Sequence, residues 1–106
     1  MVDIAQDSYE FTIELLEHPS LEIQNVVAPS TAYAGDIILV EYDVVNSGGQ
    51  DTCYGRILND GEIEMAGSRW EEVIDAEGTV HKTYEFPMPS GGNFRGVIQV
   101  GYKTTA

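Results

Sequence analysis

The 106-residue sequence predicts an all-β antiparallel sandwich of about seven strands, with an extra strand or arm at its N-terminus. Short runs of alternating hydrophobicity are separated by Gly, Pro, Asn and Asp turn signals at near-regular intervals. No segment has the pattern of a long helix. A chain of this length can build one modest core, so we divide it into an extension, residues 1–20, and one sandwich, residues 21–106.

The clearest strand signal lies between Asp36 and Asn46, where apolar and polar residues alternate. This period of two is typical of a strand with one buried face. Turn residues bound the segment on both sides, Ala34-Gly35-Asp36 before it and Asn46-Ser47-Gly48-Gly49 after it. The residues expected to face inward are Ile38, Val40, Tyr42 and Val44.

A hairpin is expected where residues 51–58 and 62–65 flank Asn59-Asp60-Gly61. A two-residue turn would carry Arg56 to the inner face. A three-residue loop with Gly61 in the left-handed conformation keeps Arg56 outside, near Glu64, and we prefer it because it buries no charge. It places Cys53, Gly55, Ile57, Ile63 and Met65 inward.

The remaining strands are predicted at residues 21–26, 80–86 and 94–103. Lys82 interrupts the apolar pattern of the second, so we place that strand near a sheet edge, where the lysine reaches solvent. Pro87 and Pro89 mark a connection, because proline cannot donate to a sheet ladder. Trp70, Val73 and Ile74 are expected to cover one end of the core. The inward residues of the last two strands are Val80, Tyr84, Phe86, Phe94, Ile98, Val100 and Tyr102.

The N-terminal extension carries the candidate interaction residues. Tyr9, Phe11, Ile13 and Leu15 alternate with Glu10, Thr12 and Glu14, which favours a strand over an amphipathic helix. Such an apolar face is expected to pair with a sheet edge of its own molecule or of a neighbour. The segment is therefore an integral strand, an assembly arm or a simple tail, and the sequence leaves these alternatives open.

Composition excludes several classes of partner and site. The formal charge of −13 disfavours nucleic acid, and no window is apolar enough for insertion into a membrane. Cys53 is the single cysteine, so it forms no internal disulfide and is expected to be a small buried hydrophobe. The acidic N-terminus lacks the pattern of a signal peptide, so the chain is not secreted by that route or is an excised piece. The sequence leaves its location unknown, and a virus particle and an extracellular surface are both compatible with it.

The run from Leu21 to Tyr102 resembles the cell-adhesion-related domain of bacteria and archaea, an immunoglobulin-like and fibronectin-like family. The resemblance rests on Ala34-Gly35-Asp36 opening a strand, Asn46-Ser47-Gly48 closing it, and the Asp75-Ala76-Glu77-Gly78 turn. The Phe86-Pro87-Met88-Pro89 exit completes the pattern. The resemblance implies an immunoglobulin-like sandwich. It also implies a role as an adhesin, a spacer in a surface protein or a decoration on a virus particle.

We find no pattern that predicts catalysis, cofactor binding or a metal site. The two glycine pairs lack the helix and lysine of a phosphate-binding loop, and His18 and His81 lie too far apart to suggest a site by spacing. The acidic turns do not match the spaced calcium-binding loop of an EF-hand. We therefore expect a non-catalytic structural module, such as a virion decoration, tail or turret component, with a protein partner or homo-oligomer. A cell-surface adhesion or spacer module is the first alternative, and a metal-dependent binding protein or enzyme is the second.

Overall fold

The computed structural model describes residues 2–103, and all regular structure within that range is β. The strands are β1 (Leu21–Val27), β2 (Ile37–Asn46), β3 (Asp51–Asn59), β4 (Ile63–Glu64), β5 (Trp70–Ile74), β6 (Thr79–Pro87) and β7 (Gly96–Tyr102). They form two antiparallel sheets packed against each other, which confirms the all-β sandwich. The described residues contain no helix long and apolar enough to cross a membrane.

The two sheets differ in how their strands are joined. One has the order β1-β2-β6, with β2 in the centre. In the other, β4 and β5 pair with successive parts of one edge of β3, and β7 pairs with the opposite edge. β1 and β7 are therefore edge strands of different sheets.

Strand β2 supplies the centre of the core, as its alternation predicts. Tyr42 is 1% exposed and Val44 is fully buried, while Leu39 on the other face is 41% exposed. Cys53, Ile57, Ile74 and Phe86 complete the same apolar cluster. The hydroxyl of Tyr42 accepts a hydrogen bond from the Trp70 indole at 2.8 Å, and burial raises the pKa of that hydroxyl.

The hairpin between β3 and β4 keeps Arg56 on the outer face, as preferred on charge, but its register differs from both that were considered. Leu58 pairs with Glu64, Gly61 has a φ of +72°, and Arg56 lies 3.3 Å from Glu64 on the outer face. The three loop residues are 60–62, one position later than predicted, and Asp60 is also left-handed. Ile63 is 68% exposed rather than inward, because it occupies the last rung of the ladder beside the turn.

Residues 70–74 form a strand that the sequence did not predict. Alternation in β5 turns Trp70 and Ile74 inward and leaves Val73 54% exposed, so the expectation for Val73 is wrong. β6 is an edge strand, as Lys82 suggested. The Lys82 ammonium lies 4.6 Å from the Trp70 ring and pairs with Glu72 rather than extending freely into solvent.

Two boundaries near the C-terminus also differ from prediction. Pro87 is the last residue of β6 instead of the first residue of a connection, a position that an edge strand tolerates. Phe94 precedes β7 and packs on Phe86 at 4.7 Å between ring centroids. Tyr102 ends β7 and is 38% exposed, because it faces the N-terminal segment rather than the core.

Candidate interaction surfaces

Residues 17–20 tie the N-terminal segment to the sandwich. The main-chain N–H groups of Ser47 and Gly49 donate to the carbonyls of Ser20 and His18 at 3.0 and 3.1 Å. The His18 ring stacks on Tyr102 with 5.1 Å between centroids. Pro19 between these contacts is buried.

Two residues of the β2–β3 turn make this attachment possible. Gly49 approaches the main chain of Glu17 so closely that a Cβ atom there would overlap it. Asn46 is fully buried, and its side-chain oxygen accepts from the N–H groups of Ser20 and Gly48 at 3.1 and 3.0 Å. Its amide nitrogen donates to the carbonyl of Gly49 at 2.9 Å. The sequence identified Asn46 as a turn residue but gave no sign of this network.

Residues 2–16 precede this attachment, and we call them the arm. They contain no strand or helix, so the strand favoured for residues 9–15 is not formed within one chain. The molecule measures 87 Å along its longest axis and 24 by 18 Å across, which places the arm outside the sandwich. The predicted interaction residues are exposed to solvent: Tyr9 by 89%, Phe11 by 74%, Ile13 by 82% and Leu15 by 89%.

A groove lies between the two sheets, on the side where β1 and β7 are the edges. Its volume is about 600 Å³, and its apolar lining comes from both sheets, including Val26, Ile38, Val40, Ile57, Phe86 and Ile98. Sequence reasoning placed several of these residues in the core but did not detect the groove. No local signal reveals it, because it depends on which two strands become neighbouring edges.

Charges are distributed unevenly around these surfaces. Residues 2–17 contain five carboxylates and no lysine or arginine. Across the outer face of the β3 sheet, Glu64 pairs with Arg56 and Arg69, and Glu71 pairs with Arg69 and Lys103. Arg95, just before β7, is exposed and makes no salt bridge within residues 2–103.

A second polar cluster joins β1, β2 and β6 on the other sheet. Nδ1 of His81 lies 2.6 Å from Asp43, which also accepts from the Asn25 side chain at 2.9 Å, and Nε2 lies 3.8 Å from Glu41. The bond to Asp43 raises the pKa of His81. His81 is 57% exposed at its side chain, so we interpret the cluster as a cross-strand ion pair on the surface.

The remaining reactive groups show no arrangement that indicates chemistry. Cys53 is fully buried, and burial raises the pKa of its thiol, as for a core residue. Within residues 2–103, no group of three or more His, Cys, Asp or Glu side chains is arranged to hold a metal ion. The arm and the groove are therefore the surfaces that merit a functional interpretation.

No family model matches the chain, and no curated protein or solved structure matches it.

Proposed function

We propose that this protein is a non-catalytic module of an immunoglobulin-like type that joins a larger protein assembly through its arm. A virus particle is an assembly of this kind, and the chain would be one of its decoration, tail or turret components. The observation that carries the proposal is the exposure of four large apolar side chains, Tyr9, Phe11, Ile13 and Leu15, outside a sandwich that already has its own core.

Energetics favour a bound state for this segment. Covering one large apolar side chain stabilises a complex by roughly 1.5–3 kcal/mol, and exposed apolar clusters usually mark contact sites. Alternation along residues 9–15 suits addition to a sheet, in which Glu10, Thr12 and Glu14 stay in water. A tail that stays in solvent would not be stabilised by this alternation of apolar and polar side chains.

The attachment at residues 17–20 supports the same function. An arm that joins its own sandwich to a partner must itself be held firmly to the sandwich. Residues 17–20, which we call the root, are held by main-chain hydrogen bonds, the stacked His18 ring and the buried Asn46 side chain. The arm itself makes no comparable contact with its own sandwich. This combination of a fixed root and an exposed apolar end fits an assembly arm better than a linker remnant.

The test compares the full chain with a chain lacking residues 1–16, each tagged at the C-terminus and produced in the cells that make the protein. We expect the full chain in a high-mass fraction and the shortened chain free in the extract. The cut spares the root, so the thermal midpoint of the purified shortened chain should stay within about 2 °C of the full chain. A Thr12→Asp variant should remain in the high-mass fraction. Equal distribution of full and shortened chains would contradict the proposal.

A further inference from the structure

We propose that the groove and the open edge of β7 receive the arm of a second copy of this chain, which adds to the sheet as a strand. This inference rests on the proposed function of the arm and names its partner. Within residues 2–103, β7 pairs with β3 on one side and with no strand on its other side. An open edge beside an apolar groove is a template for strand addition.

Length and alternation of the arm match this site. β7 has seven residues, and residues 9–15 also number seven, with an apolar side chain at every second position. Strand addition turns alternate side chains toward the groove and leaves the others in solvent. Tyr9, Phe11, Ile13 and Leu15 would meet apolar walls formed by Val26 on one sheet and Ile98 on the other.

Geometry excludes an antiparallel return of the arm to its own β7. Every strand pair in the sandwich is antiparallel, and in that orientation Leu15 would lie near Gly96, at the start of β7. The root holds His18 against Tyr102, at the opposite end of β7, roughly 20 Å away at about 3.3 Å per strand residue. Three residues span at most about 11 Å, so an arm that adds antiparallel to β7 comes from a second molecule.

One local charge pair and the buried area agree with this occupant. The antiparallel orientation carries Glu14 and Glu17 of the incoming chain toward Arg95, which has no salt bridge of its own in the described part of the chain. An aromatic side chain buries roughly 150–250 Å², so one arm and its groove cover on the order of 1,000 Å². Two reciprocal contacts reach the size of a stable interface, roughly 1,200–2,000 Å².

Sedimentation velocity and native mass spectrometry of the purified chain test the proposal. We expect dimers or longer chains at micromolar to millimolar concentration, since reciprocal exchange closes a dimer and sequential exchange extends a chain. Ile13→Asp should weaken association by about 100-fold or more, because it puts a charge into the groove. Thr12→Asp introduces the same residue on the outward face and should change association by less than about threefold.

The groove has its own matched pair of variants. Val26 and Val27 are both more than half exposed, but only Val26 lines the groove, so Val26→Asp should abolish association and Val27→Asp should preserve it. Both variants should unfold at nearly the midpoint of the parent chain. Hydrogen exchange should slow in β7 of the associated parent chain and stay fast in Val26→Asp.

Mixing the two defective chains separates strand exchange from damage to the fold. Ile13→Asp retains a working groove and Val26→Asp retains a working arm, so an equal mixture should form heterodimers through one intact contact. These should be weaker than the parent dimer, and neither variant should associate alone at the same concentration. A parent chain that stays monomeric at millimolar concentration would overturn the inference, as would failure of the mixture to associate. If that monomer still enters the high-mass cell fraction through its arm, the proposed function stands and a different protein is the partner.

Discussion

At the scale of single residues, Asn46 connects the arm to the sandwich. Both the oxygen and the nitrogen of its buried amide form hydrogen bonds with main-chain groups. These bonds join Ser20 at the root to Gly48 and Gly49 in the turn. The nitrogen also reaches the carbonyls of Ile74 and Asp75 at 3.3 Å. An alanine cannot satisfy any of these buried groups.

Asn46→Ala should therefore destabilise the fold by about 2–3 kcal/mol, since several buried polar groups lose their partner together. Chemical denaturation measures the change in unfolding free energy, and hydrogen exchange should become faster at Ser20. Ser47→Ala is the matched control, because Ser47 is exposed, and it should cost less than about 0.5 kcal/mol. Equal effects of the two substitutions would show that Asn46 does not anchor residues 17–20.

His81 gives a prediction on pH dependence. Its hydrogen bond to Asp43 raises its pKa, and the hydrogen bonds from Asn25 and His81 lower the pKa of Asp43. Charged His81 then contributes stability that is fully present below its unfolded pKa of about 6.5 and is lost as pH rises through the higher folded value. The contribution of ionised Asp43 is present above its unfolded pKa and is lost as pH falls through the lower folded value.

NMR titration should accordingly give a pKa above about 6.5 for His81. Asp43→Asn should bring that pKa back toward the ordinary value and flatten the change in stability above pH 6.5. Glu62→Gln, in the exposed hairpin turn, is the control and should leave the titration of His81 nearly unchanged. An unshifted His81 in the parent chain would refute the ion pair.

At the scale of elements, β2 shows that alternation fixes which face of a strand is buried. Tyr42→Asp should cost at least about 3 kcal/mol, because it removes an aromatic core residue and leaves a charge without a partner. Leu39→Asp introduces the same residue on the outer face of the same strand and should cost less than about 1 kcal/mol. Urea unfolding curves measure both changes, and the reverse order would contradict the assigned face.

The elements also differ in how far their own sequence determines them. β2 alternates over ten residues and is recognisable without its neighbours. β5 has five residues, and its Glu71-Glu72 pair resembles a solvated turn until β3 supplies hydrogen-bond partners. Val73 is exposed because alternation turns it to the outer face, whereas Ile63 has the inward parity but lies on the last rung beside the turn.

At the scale of the whole molecule, charge opposes the association that the arm promotes. The chain carries −13, and five of its carboxylates lie in residues 2–17, so the arm approaches a body of like charge. Arg95 provides one local attraction, and an exposed ion pair of this kind contributes little. Net repulsion should dominate the dependence on salt.

Raising salt from about 50 to 500 mM should therefore strengthen self-association, by roughly tenfold, because the Debye length shrinks from more than 10 Å to a few ångströms. Sedimentation equilibrium over this range measures the change. Val26→Asp should stay monomeric at both salt concentrations, which excludes non-specific salting-out. Weaker association in high salt would show that local ion pairs, rather than the apolar arm, hold the copies together.

The sequence by itself determined the fold class, the buried face of β2 and the outward position of Arg56 in the hairpin. These follow from local rules: side chains alternate along a strand, and a buried Arg56 would lack a partner. It also marked Tyr9, Phe11, Ile13 and Leu15 as an apolar face without an evident place in the sandwich. Their role as an interface stays a prediction, although the structure leaves all four exposed.

Only the tertiary structure decided that β1 and β7 lie at neighbouring edges with an apolar groove between them. It likewise decided that Asn46 anchors the arm and that Lys82 lies over Trp70. These features join residues far apart in the chain, so their contacts form only once the strands have paired and the two sheets have packed. Period and turn chemistry specify strands such as β2, whereas the shared burial of both sheets fixes which edges remain open.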